Sequence, residues 1–230
     1  MRMLNGLALG LAAGAALIGN VGSAGADSYN WTGLYVGIQG GGSWGRADTS
    51  FTGVGTGLSQ NFSGHTLGAF VGAQYQWNKI VLGGEVSFNG LHGQSQTNCP
   101  NSAFLCSVKA DGMTIGAARL GYAFDRFLPY FKIGYSNMGL VSDSVPAFPG
   151  YRDQREHRSV AFGGGLDYAL TNELILGVEY MKMQPDTVTY SAMPFALGVT
   201  RDIRADNQSI MARLSYKLGP TPSADPVPLK

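Results

Sequence analysis

The chain has 230 residues, of which 34 are glycine and only 13% are charged. Lysine and arginine number 16 against 15 aspartate and glutamate, and this near-neutral balance argues against a nucleic-acid partner, which usually needs a clustered basic face. The length allows one domain or two small domains, and the sequence contains neither a collagen repeat nor a low-complexity run.

The first 26 residues have the features of a secretory signal peptide. Arg2 gives a positive start, the 15 residues from Leu4 to Ile18 are apolar except for Asn5, and AGA at 24–26 resembles a cleavage site. A membrane-spanning helix is the alternative, but it needs about 20 apolar residues. We therefore predict an exported protein whose mature chain starts at Asp27. No later stretch reaches 18 uninterrupted apolar residues, so we expect no helical span in the mature chain.

Eight segments of the remaining chain alternate apolar residues with small or polar ones. This period of two indicates β-strands, which span residues 31–45, 64–77, 80–90, 111–124, 127–137, 157–170, 173–182 and 207–218. In the seventh, ELILGVEYMK, the even-numbered residues from Leu174 to Tyr180 share an apolar face, whereas the other face carries glycine and the carboxylate of Glu179. The polar strand face of a soluble sandwich meets bulk water. A small face with one charge instead favours a narrow lumen, with the apolar face against lipid.

The connections between these strands alternate in length. Two-residue turns at 78–79, 125–126 and 171–172 alternate with long loops at 46–61, 91–108, 138–156 and 184–206. Soluble up-and-down barrels also have eight strands, but short turns at one end and long loops at the other are typical of outer-membrane barrels. The sequence therefore predicts an all-β fold: an eight-stranded antiparallel up-and-down transmembrane β-barrel over 27–218 with short periplasmic turns and long extracellular loops. A proline-rich periplasmic tail is expected at 219–230.

Outward-facing aromatic residues bunch near the ends of the predicted strands. Seven lie at the short-turn end: Tyr75, Trp77, Tyr122, Phe124, Phe127, Tyr168 and Tyr216. Four lie toward the long loops: Trp44, Phe88, Tyr135 and Tyr180. Aromatic residues are common in strands of every kind, but two such belts are typical of the girdles at the membrane–water interfaces.

Three segments carry a family resemblance: WTGLYVGIQGGGSWG (31–45), GAARLGYAFDRFLPYFKIGYS (116–136) and GGGLDYALTNELILGVEYMK (163–182). They resemble the small outer-membrane β-barrel proteins of alphaproteobacteria, the outer-membrane immunogenic or porin-family group related to opacity-type surface antigens. The resemblance covers essentially the whole mature chain to Leu218. It implies an eight-stranded barrel with surface loops in the cell outer membrane, placed there by the barrel-assembly machinery. Some members of the group are reported as haem binders or antigens, so the resemblance leaves the function open.

The C-terminus departs from the pattern of this group. Such barrels usually end in a strand whose last residue is aromatic, the signal read by the assembly machinery. Here Tyr216 and Leu218 are followed by GPTPSADPVPLK, which cannot continue a strand because of its prolines.

Seven charged residues face the predicted lumen. They are Glu85, Arg119, Lys132, Asp167, Glu179, Arg213 and Lys217. The interior of an eight-stranded barrel is just wide enough for side chains to fill, and buried charges need partners, so we expect ion pairs that plug the lumen. A selective pore is the alternative, because inward glycines would leave room for water and slow leakage of small solutes.

Candidate ligands are few and lie near the predicted long loops. His65, His92 and His157 could ligate haem or a metal, although scattered loop histidines are more often solvated. Cys99 and Cys106 are the two cysteines of the chain. In an exported chain they predict a disulfide, because a metal site would need more ligands.

A third loop feature is the sequence YRDQREHR at 151–158. Its arginines, Arg152, Arg155 and Arg158, could meet the phosphates of lipopolysaccharide. Asp153 and Glu156 dilute that charge and favour a solvated loop instead.

The sequence lacks G-x-S-x-G, H-E-x-x-H and a phosphate loop. We therefore expect a non-enzymatic integral outer-membrane protein without cofactor or metal, which serves envelope structure and surface display through four extracellular loops. The expected partners are outer-membrane lipid and lipopolysaccharide, and a host or environmental ligand at the loops. The alternatives are a narrow porin-like channel and a haem-binding or uptake protein.

Overall fold

The computed structural model describes residues 29–51, 57–92, 94–98, 105–145, 153–185, 187–190 and 201–218. These ranges form ten strands: β1 Gly33–Phe51, β2 Gly57–Trp77, β3 Ile80–His92, β4 Gln94–Asn98, β5 Leu105–Tyr122, β6 Phe127–Val145, β7 Asp153–Ala169, β8 Leu174–Pro185, β9 Thr187–Tyr190 and β10 Arg201–Leu218. The same ranges contain no helix long and apolar enough to cross a membrane. The predicted signal peptide at 1–26 and the predicted tail at 219–230 lie outside the described residues.

The strands close into a barrel because β1 pairs with β2 on one side and with β10 on the other. The β1–β10 ladder runs from Leu34 opposite Leu218 to Phe51 opposite Arg201. β4 continues β3 alongside β5, and β9 continues β8 alongside β10, so the ten strands occupy eight positions around the barrel. Closure satisfies the backbone polar groups within the sheet, as hydrocarbon surroundings require. The predicted eight-stranded antiparallel barrel is confirmed.

The strands extend well beyond their predicted boundaries at the long-loop end. β1 and β2 remain paired up to Ser50 opposite Gly57, so most of the predicted loop at 46–61 is strand. β6 and β10 take in 138–145 and 201–206, and β4 and β9 lie wholly inside predicted loops. The predicted loop boundaries are therefore wrong. In these extensions the outward residues are polar, and the buried inward residues include small ones such as Ala47 and Thr49. The contrast of apolar outward and polar inward residues is therefore lost although the hydrogen-bond ladder continues.

Side chains alternate between a buried inward face and an exposed outward face. The outward face is apolar on every side of the barrel. Leu67, Leu82, Leu120, Ile133, Leu176 and Leu214 are between 38% and 66% exposed. An apolar surface this extensive marks contact with another phase or partner, and in a closed barrel that phase is lipid.

Tight turns define the opposite end of the barrel. The turn between β2 and β3 contains Asn78 with φ of 54°, and the turn between β5 and β6 contains Asp125 with φ of 52°. Asparagine and aspartate tolerate this left-handed conformation better than other residues with a β-carbon. These turns place the chain from Tyr29 onward next to the mouth of the barrel.

Candidate functional site: the barrel lumen

The centre of the lumen holds two carboxylates that share two cations. Lys132 Nζ donates to Glu85 Oε1 at 2.6 Å and to Glu179 Oε2 at 2.8 Å. Arg213 Nη2 donates to Glu85 Oε2 at 2.5 Å, and Arg213 Nη1 donates to Glu179 Oε2. The four side chains come from β3, β6, β8 and β10, so this group joins strands from different sides of the barrel.

A second ion pair lies beside the first group. Arg119 on β5 donates to the carboxylate of Asp167 on β7. The guanidinium of Arg119 also lies 3.6 Å from the ring centroid of Tyr130, on the strand between them, a cation–π contact. Tyr130 in turn donates its hydroxyl to Glu179 Oε2 at 2.8 Å. The three cations and three carboxylates of this ion-pair network are all less than 6% exposed, and their formal charges cancel.

Glycine makes room for the network. A β-carbon at Gly177 would overlap the carboxylate of Asp167, and one at Gly72 would overlap the ring of Tyr35. Tyr35 donates its hydroxyl to Glu85 Oε2 at 3.0 Å. The space expected to admit water at these two glycines is therefore occupied by side chains of the network.

Lys217 is buried but does not join the network in the described residues. Its Nζ donates to the backbone carbonyl of Asn30 at 2.5 Å and lies 4.6 Å from the ring centroid of Tyr29. The structure therefore places six of the seven predicted lumen charges together and the seventh at the turn end.

Residues 29–32 form an N-terminal cap over that end. Trp31, predicted as the first residue of a strand, precedes β1 and is 0% exposed. Its indole N–H donates to the Asp125 carbonyl at 3.0 Å and its backbone N–H to Gln76 Oε1 at 2.7 Å. The Tyr29 hydroxyl donates to the Asn172 carbonyl at 3.1 Å. The cap is thus tied to the β2–β3, β5–β6 and β7–β8 ends at once.

The tyrosine of this cap stays protonated under ordinary conditions. Burial raises the pKa of Tyr29 to about 12, against the opposing effect of the nearby Arg126. Its hydroxyl therefore remains a hydrogen-bond donor across the neutral pH range.

A methionine layer fills the lumen toward the long-loop end. Its members are Met113, Met138, Met181, Met183 and Met211, all less than 5% exposed and packed in one cluster with Leu91, Ile115 and small alanines. Methionine fills irregular space well because its side chain is unbranched and flexible. The sequence analysis missed both this layer and the cap. The inward positions of the alternating pattern carried a signal for Met113, Met181 and Met211, since each falls on the same predicted strand face as a predicted lumen charge. Met138 and Met183 lie just beyond the predicted strands and carried no such signal.

The structure separates the three histidines. His65 and His92 lie opposite each other on β2 and β3, with parallel rings 5.3 Å apart, on the exposed face of the barrel. His157 on β7 is 1% exposed and faces the lumen opposite Met138. The three do not converge on one point. Among the described residues no group of three or more His, Cys, Asp or Glu side chains is arranged to hold a metal.

The predicted aromatic girdle at the turn end faces outward. Tyr75, Trp77, Tyr122, Phe124, Phe127 and Tyr216 are each more than 40% exposed, and Tyr168 is half-buried. The rings of Phe127 and Tyr168 lie 4.6 Å apart between neighbouring strands.

Most of the cysteine and arginine positions predicted as sites in the long loops lie outside the described residues or are described only as backbone. Cys99 lies outside the described residues, and of Cys106 only the backbone in β5 is described, opposite Thr97. Arg152 also lies outside them, Arg155 is described only as backbone in β7, and Arg158 is exposed on the outer face of β7.

The closed antiparallel sheet, the apolar outer wall and the charged interior together define an integral outer-membrane β-barrel. The chain belongs to the outer membrane protein beta-barrel domain family, whose family model matches residues 13–217.

Curated relatives agree with this assignment. The chain is 28% identical over 193 residues to the 25 kDa outer-membrane immunogenic protein of Brucella abortus biovar 1, covering 84% of this chain and 81% of that protein. It is 28% identical over 172 residues to the 31 kDa outer-membrane immunogenic protein of Brucella melitensis biotype 1, covering 67% of this chain and 71% of that protein. The resemblance drawn from the sequence and the outer-membrane location are both confirmed.

Among solved structures, the outer membrane protein OprG from Pseudomonas aeruginosa matches with a TM-score of 0.57 and 17% identity. The match covers 84% of this chain and 99% of OprG. At this identity the likeness supports the fold alone.

Proposed function

We propose that this protein is a non-enzymatic, non-conducting outer-membrane barrel that contributes to envelope structure and displays its long-loop end at the cell surface. The observation that carries the proposal is the filling of the lumen at three levels. The N-terminal cap closes the turn end around Trp31, the ion-pair network crosses the middle, and the methionine layer packs the outer half.

The lumen charges form ion pairs with one another, which supports a structural role over a catalytic one. A catalytic carboxylate or cation has to reach a substrate. Glu85 and Glu179 instead each accept from Lys132, Arg213 and a tyrosine. Opening any of these contacts would leave a charge buried without a partner, which is strongly unfavourable.

The names of the curated relatives support the display of the long-loop end. Both are outer-membrane immunogenic proteins, and an immune response requires a surface that is reached from outside. In this chain the β1–β10 ladder continues past Trp44 for seven further residues, to Phe51, and the β1–β2 ladder for six, to Ser50, which lifts the outer end of the barrel above the apolar wall.

A narrow water-filled channel is the second candidate, and one observation favours it. Gln39 Oε1, Thr66 Oγ1, Asn207 Oδ1 and Ser209 Oγ are buried without a hydrogen-bond partner among the described side chains. They lie on β1, β2 and β10, and bound water would satisfy them. The network and the cap lie on the turn side of Thr66, Asn207 and Ser209, so we assign the water to a closed pocket.

Planar-bilayer recording of the refolded mature barrel tests the proposal. We expect no stable conductance steps from the wild type in bilayers where a general porin records normally. Stable steps whose size or ion selectivity changes in a folded Lys132→Gln variant would overturn the non-conducting assignment, because they would place the ion path through the network.

A further inference from the structure

We propose that the outer wall formed by β8, β10 and β1 binds one phosphorylated lipid of the outer leaflet, with its phosphate at Arg46, Lys182 and Arg204. The site lies on the outside of the barrel. It is therefore independent of whether the lumen conducts.

The height of this site follows from the apolar wall below it. On β1 the outward residues run from Leu34 to Trp44, which is 39% exposed, as is Tyr180 on β8. Ten residues of strand span about 33 Å, and a strand tilt of about 40° reduces this to about 25 Å along the membrane normal, the height of the apolar band of outer-membrane barrels. Trp44 and Tyr180 thus mark the outer interface, and Arg46 lies directly above it.

A charged groove of about 390 Å³ opens at that level. It is lined by Arg46, Asp48, Lys182, Met183, Gln184, Arg204 and Asp206. The side chains contribute three cations and two carboxylates.

The two carboxylates of this groove accept hydrogen bonds from neutral donors. Asp206 Oδ1 accepts from the Arg46 backbone N–H at 2.7 Å, and Asp48 accepts from the Ser59 hydroxyl. The Arg46 guanidinium is oriented by its Nε, which donates to Asn61 Oδ1 at 3.2 Å. Guanidinium and ammonium groups suit a phosphate.

An apolar furrow runs down the same wall toward the turn end. A second groove, of about 530 Å³, is lined mainly by apolar residues of β1, β2 and β10, among them Val36, Ile38 and Leu214. Between the two grooves the outward positions on β1 are Gly40 and Gly42. A β-carbon at Gly42 would meet nothing within 4 Å, whereas one at Gly40 would lie 3.2 Å from the Leu67 side chain. The outer surface is therefore recessed at Gly42, between the phosphate site and the apolar groove, where an acyl chain would pass. Charge at the interface and a furrow beneath it fit a lipid that carries both phosphate and acyl chains, of the lipid A type.

Native mass spectrometry of the refolded mature barrel in detergent, titrated with bisphosphorylated lipid A, tests the site. We expect the triple variant Arg46→Gln, Lys182→Gln, Arg204→Gln to bind at least about tenfold more weakly. Arg158→Gln, which removes an exposed arginine from β7, should change binding less than twofold. Equal affinity of the wild type and the triple variant, or an equal loss with Arg158→Gln, would overturn the site.

Two further arms separate the ligand classes. Dephosphorylated lipid A should bind as weakly to the wild type as to the triple variant, and inorganic phosphate at millimolar concentration should not displace the lipid. Displacement by phosphate alone would mean that the cations hold a free anion and would overturn the lipid assignment.

Gly42→Phe fills the furrow without altering charge and should weaken lipid A binding several-fold. Unchanged binding by this variant would overturn the acyl-chain part. Circular dichroism checks that each variant retains its β-barrel signal.

Discussion

Arg213 and Glu85 are 128 residues apart in the chain, and their side chains meet at 2.5 Å in the middle of the barrel. Arg213 lies on β10 and Glu85 on β3, which are not neighbours in the sheet. The contact exists because closure of the barrel turns both strands inward around a lumen that is only as wide as their side chains.

Removal of this cation should destabilise the barrel. Arg213→Met leaves Glu85 and Glu179 with only Lys132 as a cationic partner, so we expect the free energy of unfolding to fall by about 3–5 kcal/mol. Urea unfolding in lipid vesicles, followed by tryptophan fluorescence, measures the change. The double variant Arg213→Met, Glu85→Gln should recover part of the loss, because it restores the balance of charge. If the single variant Arg213→Met were as stable as the wild type, Arg213 would not be needed to neutralise the two buried carboxylates, and the network as described would be contradicted.

Loss of the cap residue Trp31 should also destabilise the barrel. Its side chain is 0% exposed and packs with Val81, Leu128 and Ile175, so Trp31→Ala should lower the free energy of unfolding by about 3–5 kcal/mol. Trp77→Ala is the matched control at the same end, since Trp77 is 67% exposed and creates no cavity when truncated. A smaller effect at Trp31 than at Trp77 in the same urea titration would show that the cap does not pack as described.

The three tryptophans also report which side of the wall meets lipid. Trp44 and Trp77 face outward near opposite ends of the wall, whereas Trp31 is enclosed by the cap. In variants that keep one tryptophan and replace the other two by phenylalanine, lipids brominated near the headgroup should quench Trp44 and Trp77 strongly and Trp31 only weakly. Quenching of Trp31 as strong as that of Trp77 would mean that the segment before β1 lies on the lipid-facing side.

The methionine layer should resist oxidation in the folded barrel. Met113, Met138, Met181, Met183 and Met211 are enclosed, and conversion of a thioether to its sulfoxide needs access for the oxidant. We expect peroxide to oxidise these five at least about tenfold more slowly in the folded protein than in urea, as measured by peptide mass spectrometry. Rapid oxidation of Met181 or Met211, each two residues from a member of the network, would indicate an open path into the lumen.

Local sequence was sufficient for the strand count and for the two faces of the wall. The alternation in ELILGVEYMK places Leu176 outward and Glu179 inward, as the structure has them, because successive side chains of a strand point to opposite faces whatever its neighbours are. The upper ends of the strands could not be placed in the same way. From Arg46 to Ser50 the outward residues are polar and exposed, whereas Ala47 and Thr49 are buried toward the lumen. The apolar-outward pattern that marks the membrane segment therefore no longer applies there.

The sequence by itself determined that eight alternating segments would cross the outer membrane, and which charges would turn inward, because both properties depend on a period of two within a single strand. Only the tertiary structure decided that Lys132 and Arg213 would share two carboxylates, that Trp31 would close the turn end, and that five methionines would fill the outer half. These contacts join strands that are far apart in the chain. They depend on the closure and stagger of the whole barrel, a geometry that no single strand contains.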